Sequence, residues 1–118
     1  VLCDRFTDSM VAYQHYGRGL PLEPMLHADA EARQGVAPHI VYVLDMDPRR
    51  AFFRAASRGG APTVFELERL EFHRRVRRGF LSLARQHPET HYVINAARPI
   101  EVVQRATRRV FEKFLTPQ

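Results

Sequence analysis

The chain has 118 residues, 45 % hydrophobic and 26 % charged, and its 18 Lys+Arg against 13 Asp+Glu leave a net charge of +5. That composition is too apolar for a disordered segment, and the length suits one domain and argues against two. No apolar run approaches the roughly 20 residues that cross a bilayer, and a single cysteine, Cys3, excludes an internal disulfide framework or a multi-cysteine zinc site.

Val1-Leu2-Cys3 reads as the end of a buried strand, with Cys3 a small apolar filler. Its abrupt start has no charged n-region or long apolar h-region, which predicts no signal peptide and suggests a cut through a structural element. A helical turn carrying Ser9 and Ala12-Tyr13-Gln14 follows, then Gly17-Arg18-Gly19, where glycine permits close backbone approach or positive φ. Pro24 opens a helix through Met25, Leu26 and Ala32 that stops at Gly35, with Pro38 beyond. His39 to Met46 is a near-continuous apolar run, of the kind buried on both faces of a parallel sheet.

Asp47-Pro48 supplies an N-cap and a proline at the first helical position, for a helix through Phe52 and Phe53 to Gly59-Gly60. Gly59-Gly60-Ala61-Pro62 is the one hinge-like stretch. A long helix from about Phe65 to Gln86 carries Phe72, Val76, Phe80 and Leu83 as one apolar stripe, and His87-Pro88 ends it. His91 to Asn95 is a third strand. The last helix starts near Pro99 with Ile100, Val103, Val110 and Phe114 on one face. Strands alternating with helices predict an α/β fold with a parallel sheet, where ligands bind at the C-terminal strand ends.

The strand ends are therefore the places to look for chemistry. Asp4-Arg5 is either a metal- or hydroxyl-facing carboxylate beside a phosphate-facing guanidinium, or a local ion pair pinning a loop. Ser9, Tyr13 and Gln14 offer a stacking surface with hydroxyl and amide hydrogen bonds, which suits a planar nucleobase, or they form a polar turn facing water. Lys113, in Phe-Glu-Lys-Phe, is the only lysine, so these 118 residues contain no Gly-Lys-Ser/Thr phosphate loop. The six histidines have no metal-ligand spacing; His87 and His91 are separated by Pro88. Arg69, Arg74, Arg75, Arg77 and Arg78 read as a solvated face, with Glu66 and Glu71 placed to pair along the helix. The other reading of that cluster is an arginine-rich nucleic-acid-binding module, but no basic strand interleaved with aromatics accompanies it.

Taken in order, Asp4-Arg5-Phe6, Ser9, Ala12-Tyr13-Gln14 and Gly17-Arg18-Gly19-Leu20 resemble a segment of bacterial thymidylate kinases. The resemblance continues through Val43-Leu44-Asp45-Met46-Asp47-Pro48, the arginine-rich lid at Arg54 to Gly60, and Phe72-His73-x-x-Val76-Arg77-x-Gly79-Phe80-Leu81. It closes on Val93-Ile94-Asn95-Ala96 and Pro99-Ile100-Glu101-x-Val103, and so covers essentially the whole chain. Two places depart from the family pattern. Thr63-Val64-Phe65-Glu66 stands where Asp-Arg-Phe/Tyr-Glu is usual, and Asn95 stands for the usual aspartate.

The resemblance implies a P-loop NTPase-like, three-layer α/β/α fold with a parallel sheet lacking its N-terminal strands. Residues 1–118 would be a single partial nucleoside monophosphate kinase domain, with a lid at about 54–66. The implied activity is transfer of the ATP γ-phosphoryl group to dTMP with Mg²⁺, giving dTDP for dTTP biosynthesis. Asp4, Arg5, Arg54 and Arg58 would be catalytic. Arg5, Ser9, Tyr13, Gln14 and Arg18 would bind dTMP; Arg54, Arg58, Asn95, Ala96 and Ala97 would border ATP. The family expectation is a cytoplasmic homodimer with no membrane or nucleic-acid partner. The phosphate-loop strand would lie between the first two strands, so this chain alone is expected to be an unstable, inactive fragment. A non-catalytic nucleotide-binding relative is the remaining alternative.

Overall fold

The computed structural model describes residues 1–57 and 64–116, with only the backbone of residues 64–67. Thr7–Met10 makes one α-helical turn, α1, which runs directly into a π-helix over Val11–Gly17. The widened turn closes with Arg18 N–H donating to Tyr13 O, five residues back, at 3.0 Å. Val11 and Ala12 point inward and are buried. Helix α2 spans Leu22–Arg33, beginning two residues before Pro24. Pro24 is tolerated because the first turn's N–H groups have no helical partner anyway. Gln34 (φ +48°) and Gly35 (φ +80°) terminate it in left-handed conformations. Thr7 Oγ1 donates to both Asp29 carboxylate oxygens, at 2.9 and 3.0 Å, and Arg33 Nε reaches the same carboxylate at 2.7 Å, tying α2 to α1.

Strand β1, Val41–Asp45, pairs in parallel with β2, His91–Asn95, in the register Val41–His91 to Asp45–Asn95. Helix α3 is Pro48–Ala56, and the Asp47 carboxylate caps it by accepting from Arg49 N–H at 2.8 Å. Helix α4 is Val64–Gln86 and α5 is Ile100–Leu115. Alternation along β1 sends Tyr42 and Asp45 to opposite faces. Tyr42 Oη donates to Thr107 O on α5 at 3.0 Å, while Asp45 receives Arg77 of α4. The expected three layers are therefore present, with helices on both faces of a two-stranded parallel sheet.

Two expectations at the sheet are corrected. Val1-Leu2-Cys3 is not a strand: it has no ladder neighbour, Leu2 is 97 % exposed, and Cys3 is an exposed free thiol, not a core filler. The run from His39 to Met46 shortens to five residues, and it is not buried on both faces, because Leu44 is 60 % exposed. Two strands are too narrow for the flanking helices to cover each side of both. The core of Val11, Ala12, Val43, Val76, Ala84 and Ile94 lies along α4, which packs on the π-helix and on the sheet.

Candidate active site

Helix α4 organises the site because its apolar stripe packs under the π-helix. Gly17 and Gly79 make the close approach possible. A Cβ on Gly17 would sit 2.6 Å from Phe72 Cε2, and one on Gly79 would sit 2.8 Å from the Tyr16 ring. Tyr13 meets Phe72 edge-on at 5.9 Å and Phe80 at 6.4 Å between ring centroids. An open hollow of about 580 Å³ forms above this seam. Tyr13, Gly17 and Arg18 line one wall, and Arg69, Phe72, His73 and Arg75 line the other.

Arg5 leaves the N-terminal segment with φ +67°, a left-handed conformation uncommon outside glycine. Its guanidinium carbon lies 5.2 Å above the Tyr13 ring. Among the described residues the carboxylate pairs are Arg33–Asp29, Arg74–Glu71, Arg77–Asp45, His87–Glu89 and His91–Asp8. Asp4 and Arg5 do not pair with each other, and Asp4 is exposed at the adjoining bend. Arg18 Nη1 donates to Gln14 Oε1 at 3.2 Å, and its guanidinium lies 5.2 Å from the Phe72 ring centroid. Ser9 sits half-buried in α1, one turn before Tyr13. Gly19 takes φ +74°, so the two glycines around Arg18 divide the expected roles, one for close approach and one for backbone sign.

The other sequence-derived residues lie elsewhere. Asn95, Ala96 and Ala97 turn at the C-terminal end of β2. There Ala96 N–H extends the ladder to Asp45 O at 2.8 Å, and Asn95 Oδ1 accepts from Ala97 N–H at 3.0 Å. An aspartate makes the same bond, so asparagine preserves this turn. Arg54 is exposed on α3, which packs on α4. Arg58 and the hinge-like Gly59-Gly60-Ala61-Pro62 lie outside the described residues, as do Thr63 and the side chains of Val64, Phe65 and Glu66.

The reading of the α4 arginines as a solvated face is half right. Arg74 pairs with Glu71 as the spacing predicts. Arg75 instead crosses to the π-helix, donating Nε–H to Gly17 O at 3.1 Å. Arg77 forms a two-pronged pair with Asp45, at 2.8 and 3.0 Å. That hydrogen bond, with the Asp45 and Asp47 charges, outweighs partial burial and raises Arg77 above the ordinary guanidinium range. Burial, with the Arg69 cation, holds His73 below the usual imidazole range. Sequence spacing misses these contacts because Gly17 and Asp45 are 58 and 32 residues away. It also misses His91, whose Nε2 meets Asp8 Oδ2 at 2.7 Å and so ties α1 to the start of β2.

Comparison with known proteins follows the same outline. Residues 1–107 match the family model described as thymidylate kinase. A thymidylate kinase of Solidesulfovibrio magneticus is 45 % identical over 98 % of this chain and 58 % of its own length. One of Pelotomaculum thermopropionicum is 43 % identical over 98 % of this chain and 55 % of its own. A crystal structure of thymidylate kinase from Ehrlichia chaffeensis superposes with a TM-score of 0.65 at 28 % identity, covering 93 % of this chain and 47 % of that one. The chain thus spans a little over half the length of the curated relatives it matches, with their P-loop NTPase-like α/β arrangement. By family model, curated relatives and fold, the chain belongs to the thymidylate kinase family.

Proposed function

We propose that this chain supplies the acceptor-side half of a dTMP kinase, which transfers the ATP γ-phosphoryl group to dTMP and releases dTDP and ADP. The observation that carries the reading is Arg5 held over Tyr13, next to a helical unit bearing Ser9, Gln14 and Arg18. Arg5 holds the dTMP phosphate, since a guanidinium fork matches two phosphate oxygens. Ser9 and Gln14 hydrogen-bond thymine, Tyr13 packs against the nucleoside, and Arg18 borders the same site. Arg54 and Arg58 serve the ATP phosphates from the lid, and Asn95, Ala96 and Ala97 border adenine through backbone.

Asp4 fits a magnesium role. Its carboxylate is exposed beside Arg5, and the described residues gather no group of three or more His, Cys, Asp or Glu. One carboxylate plus substrate phosphate oxygens is how Mg²⁺ is usually held. Asp4 would hold the ion, which would supply positive charge against the phosphate oxygens, and Arg5 positions the attacking dTMP oxygen in line. The reading extends to a cytoplasmic homodimer. No helix of the described residues is long and apolar enough to cross a membrane.

The test is nucleotide titration of the chain by calorimetry. We expect dTMP to bind more tightly than dUMP or CMP, and Arg5→Ala to weaken dTMP by about tenfold or more. Equal affinity for the three nucleotides, or an unaffected Arg5→Ala variant, overturns the assignment.

A further inference from the structure

The hollow between the π-helix and α4 concentrates positive charge. Arg18, Arg69 and Arg75 line it, and no carboxylate of the described residues does. Converging guanidiniums repel one another unless an anion lies between them. Their arrangement is held by other contacts: Arg75 is fixed by its Nε–H bond to Gly17 O at 3.1 Å, and Arg18 by Gln14 at 3.2 Å. The Phe72 ring here already carries two guanidiniums, Arg18 and Arg75, at 5.2 and 5.9 Å. The hollow therefore offers planar N–H forks in place of a stacking platform. Neutral His73 adds a ring nitrogen without adding a fourth cation. Its volume of about 580 Å³ accommodates a ligand of several phosphate groups.

We propose that this hollow is a phosphoanion site that takes two or more linked phosphates, held by Arg69 and Arg75 from α4 and Arg18 from the facing wall. The source is either free pyrophosphate or the tail of a nucleoside diphosphate. This goes beyond the acceptor reading and shares only Tyr13 and Arg18 with it.

The experiment is an NMR titration of the isotope-labelled chain, following the Gly17 amide and the arginine Nε–H signals. The probes are sodium pyrophosphate, dTDP and thymidine. Pyrophosphate should shift Gly17 and Arg75, and thymidine should leave both unchanged. A tighter response to dTDP than to pyrophosphate that survives Arg5→Ala assigns the source to the nucleotide, and a tighter response to pyrophosphate assigns it to the free anion. A dTDP response lost with Arg5→Ala belongs to the acceptor site and overturns the nucleotide source. Arg69 is exposed, so Arg69→Ala should preserve the fold and weaken pyrophosphate by about tenfold. Arg75→Lys keeps the charge and loses the fork, and should weaken it by a similar factor. Arg5 does not line the hollow and reaches it only through Tyr13, so Arg5→Ala should weaken pyrophosphate less than Arg69→Ala does. That separates this proposal from the dTMP assignment, which fails on Arg5→Ala with dTMP alone. The proposal is overturned if pyrophosphate moves neither signal, or if Arg5→Ala abolishes the response while Arg69→Ala does not. Tighter capture of a short mixed-sequence oligonucleotide than of pyrophosphate overturns it too.

Discussion

At the scale of single residues, two backbone positions set the local geometry, Gly17 at the hollow and Arg5 at the proposed acceptor site. Gly17 lets the π-helix press onto Phe72, where a methyl group would come within 2.6 Å of the ring and 3.0 Å of Val76. Gly17→Ala should therefore cost about 1–3 kcal/mol in urea unfolding, because ring and helix must both move. An unchanged unfolding midpoint would show the seam to be loose. Arg5 is the second position. Its φ of +67° is strained for any residue with a Cβ, so Arg5→Gly should be more stable than Arg5→Ala by ~1 kcal/mol. Both variants lack the guanidinium and should lose dTMP equally. If the alanine variant is the more stable, Arg5 does not hold the left-handed conformation in solution.

At the scale of elements, α4 links the pieces. Arg75 fixes the π-helix, Arg77 fixes the C-terminal end of β1, and His73 faces the seam between them. His73 binds its proton less readily in the folded chain than in the unfolded one. As pH falls below the unfolded value of about 6.5, the unfolded state takes up protons first and stability declines. At higher pH this contribution is flat. Thermal unfolding should show a lower midpoint on acidification through that window, and His73→Gln should remove part of the drop. An identical pH profile in the variant would exclude His73 as a cause. Breaking the Arg77–Asp45 fork with Asp45→Asn should cost about 1 kcal/mol, since Arg77 is 36 % exposed and its attraction is screened.

The same elements show what sequence could reveal. Helix α4 was legible because Phe72, Val76 and Phe80 repeat at helical spacing, and α3 because Asp47-Pro48 is a strong start signal. The strands at Val41 to Asp45 and His91 to Asn95, and their parallel sheet, followed from the α/β alternation, but which strand lies beside which did not. The π-helix was not legible: five-residue hydrogen bonds leave the composition of Val11–Gly17 looking like any helical turn. Nor were the contacts of Arg75 and Arg77, because local spacing to Glu71 describes the helix surface and says nothing of a strand end folded against it. Val1-Leu2-Cys3 reads as a strand from its apolar character, but an apolar triplet becomes one only when another strand is beside it.

At the scale of the whole molecule, the chain is open. Its accessible surface is 9217 Å², against roughly 6,600 Å² for a compact monomer of this mass. Its radius of gyration is 16.2 Å, against about 13.5 Å for a compact chain of this length. Each strand of the two-stranded sheet has one unpaired edge among the described residues. Leu44 and Val93, 60 % and 47 % exposed, lie on that sheet, and Ile100, Phe111, Phe114 and Leu115 leave α5 apolar toward solvent. Surface of this kind is buried at about 25 cal/mol per Å² when a partner covers it. The net charge of +5 opposes association only weakly once salt screens it. The isolated chain should therefore self-associate in sedimentation velocity as its concentration rises, and more strongly at high salt. Leu44→Lys puts a charge on the exposed sheet and should shift the distribution toward monomer. Leu26→Lys, at a 41 % exposed position on α2 away from the sheet, should leave it unchanged. If both substitutions act alike, association runs through general hydrophobicity and the open sheet is not its seat.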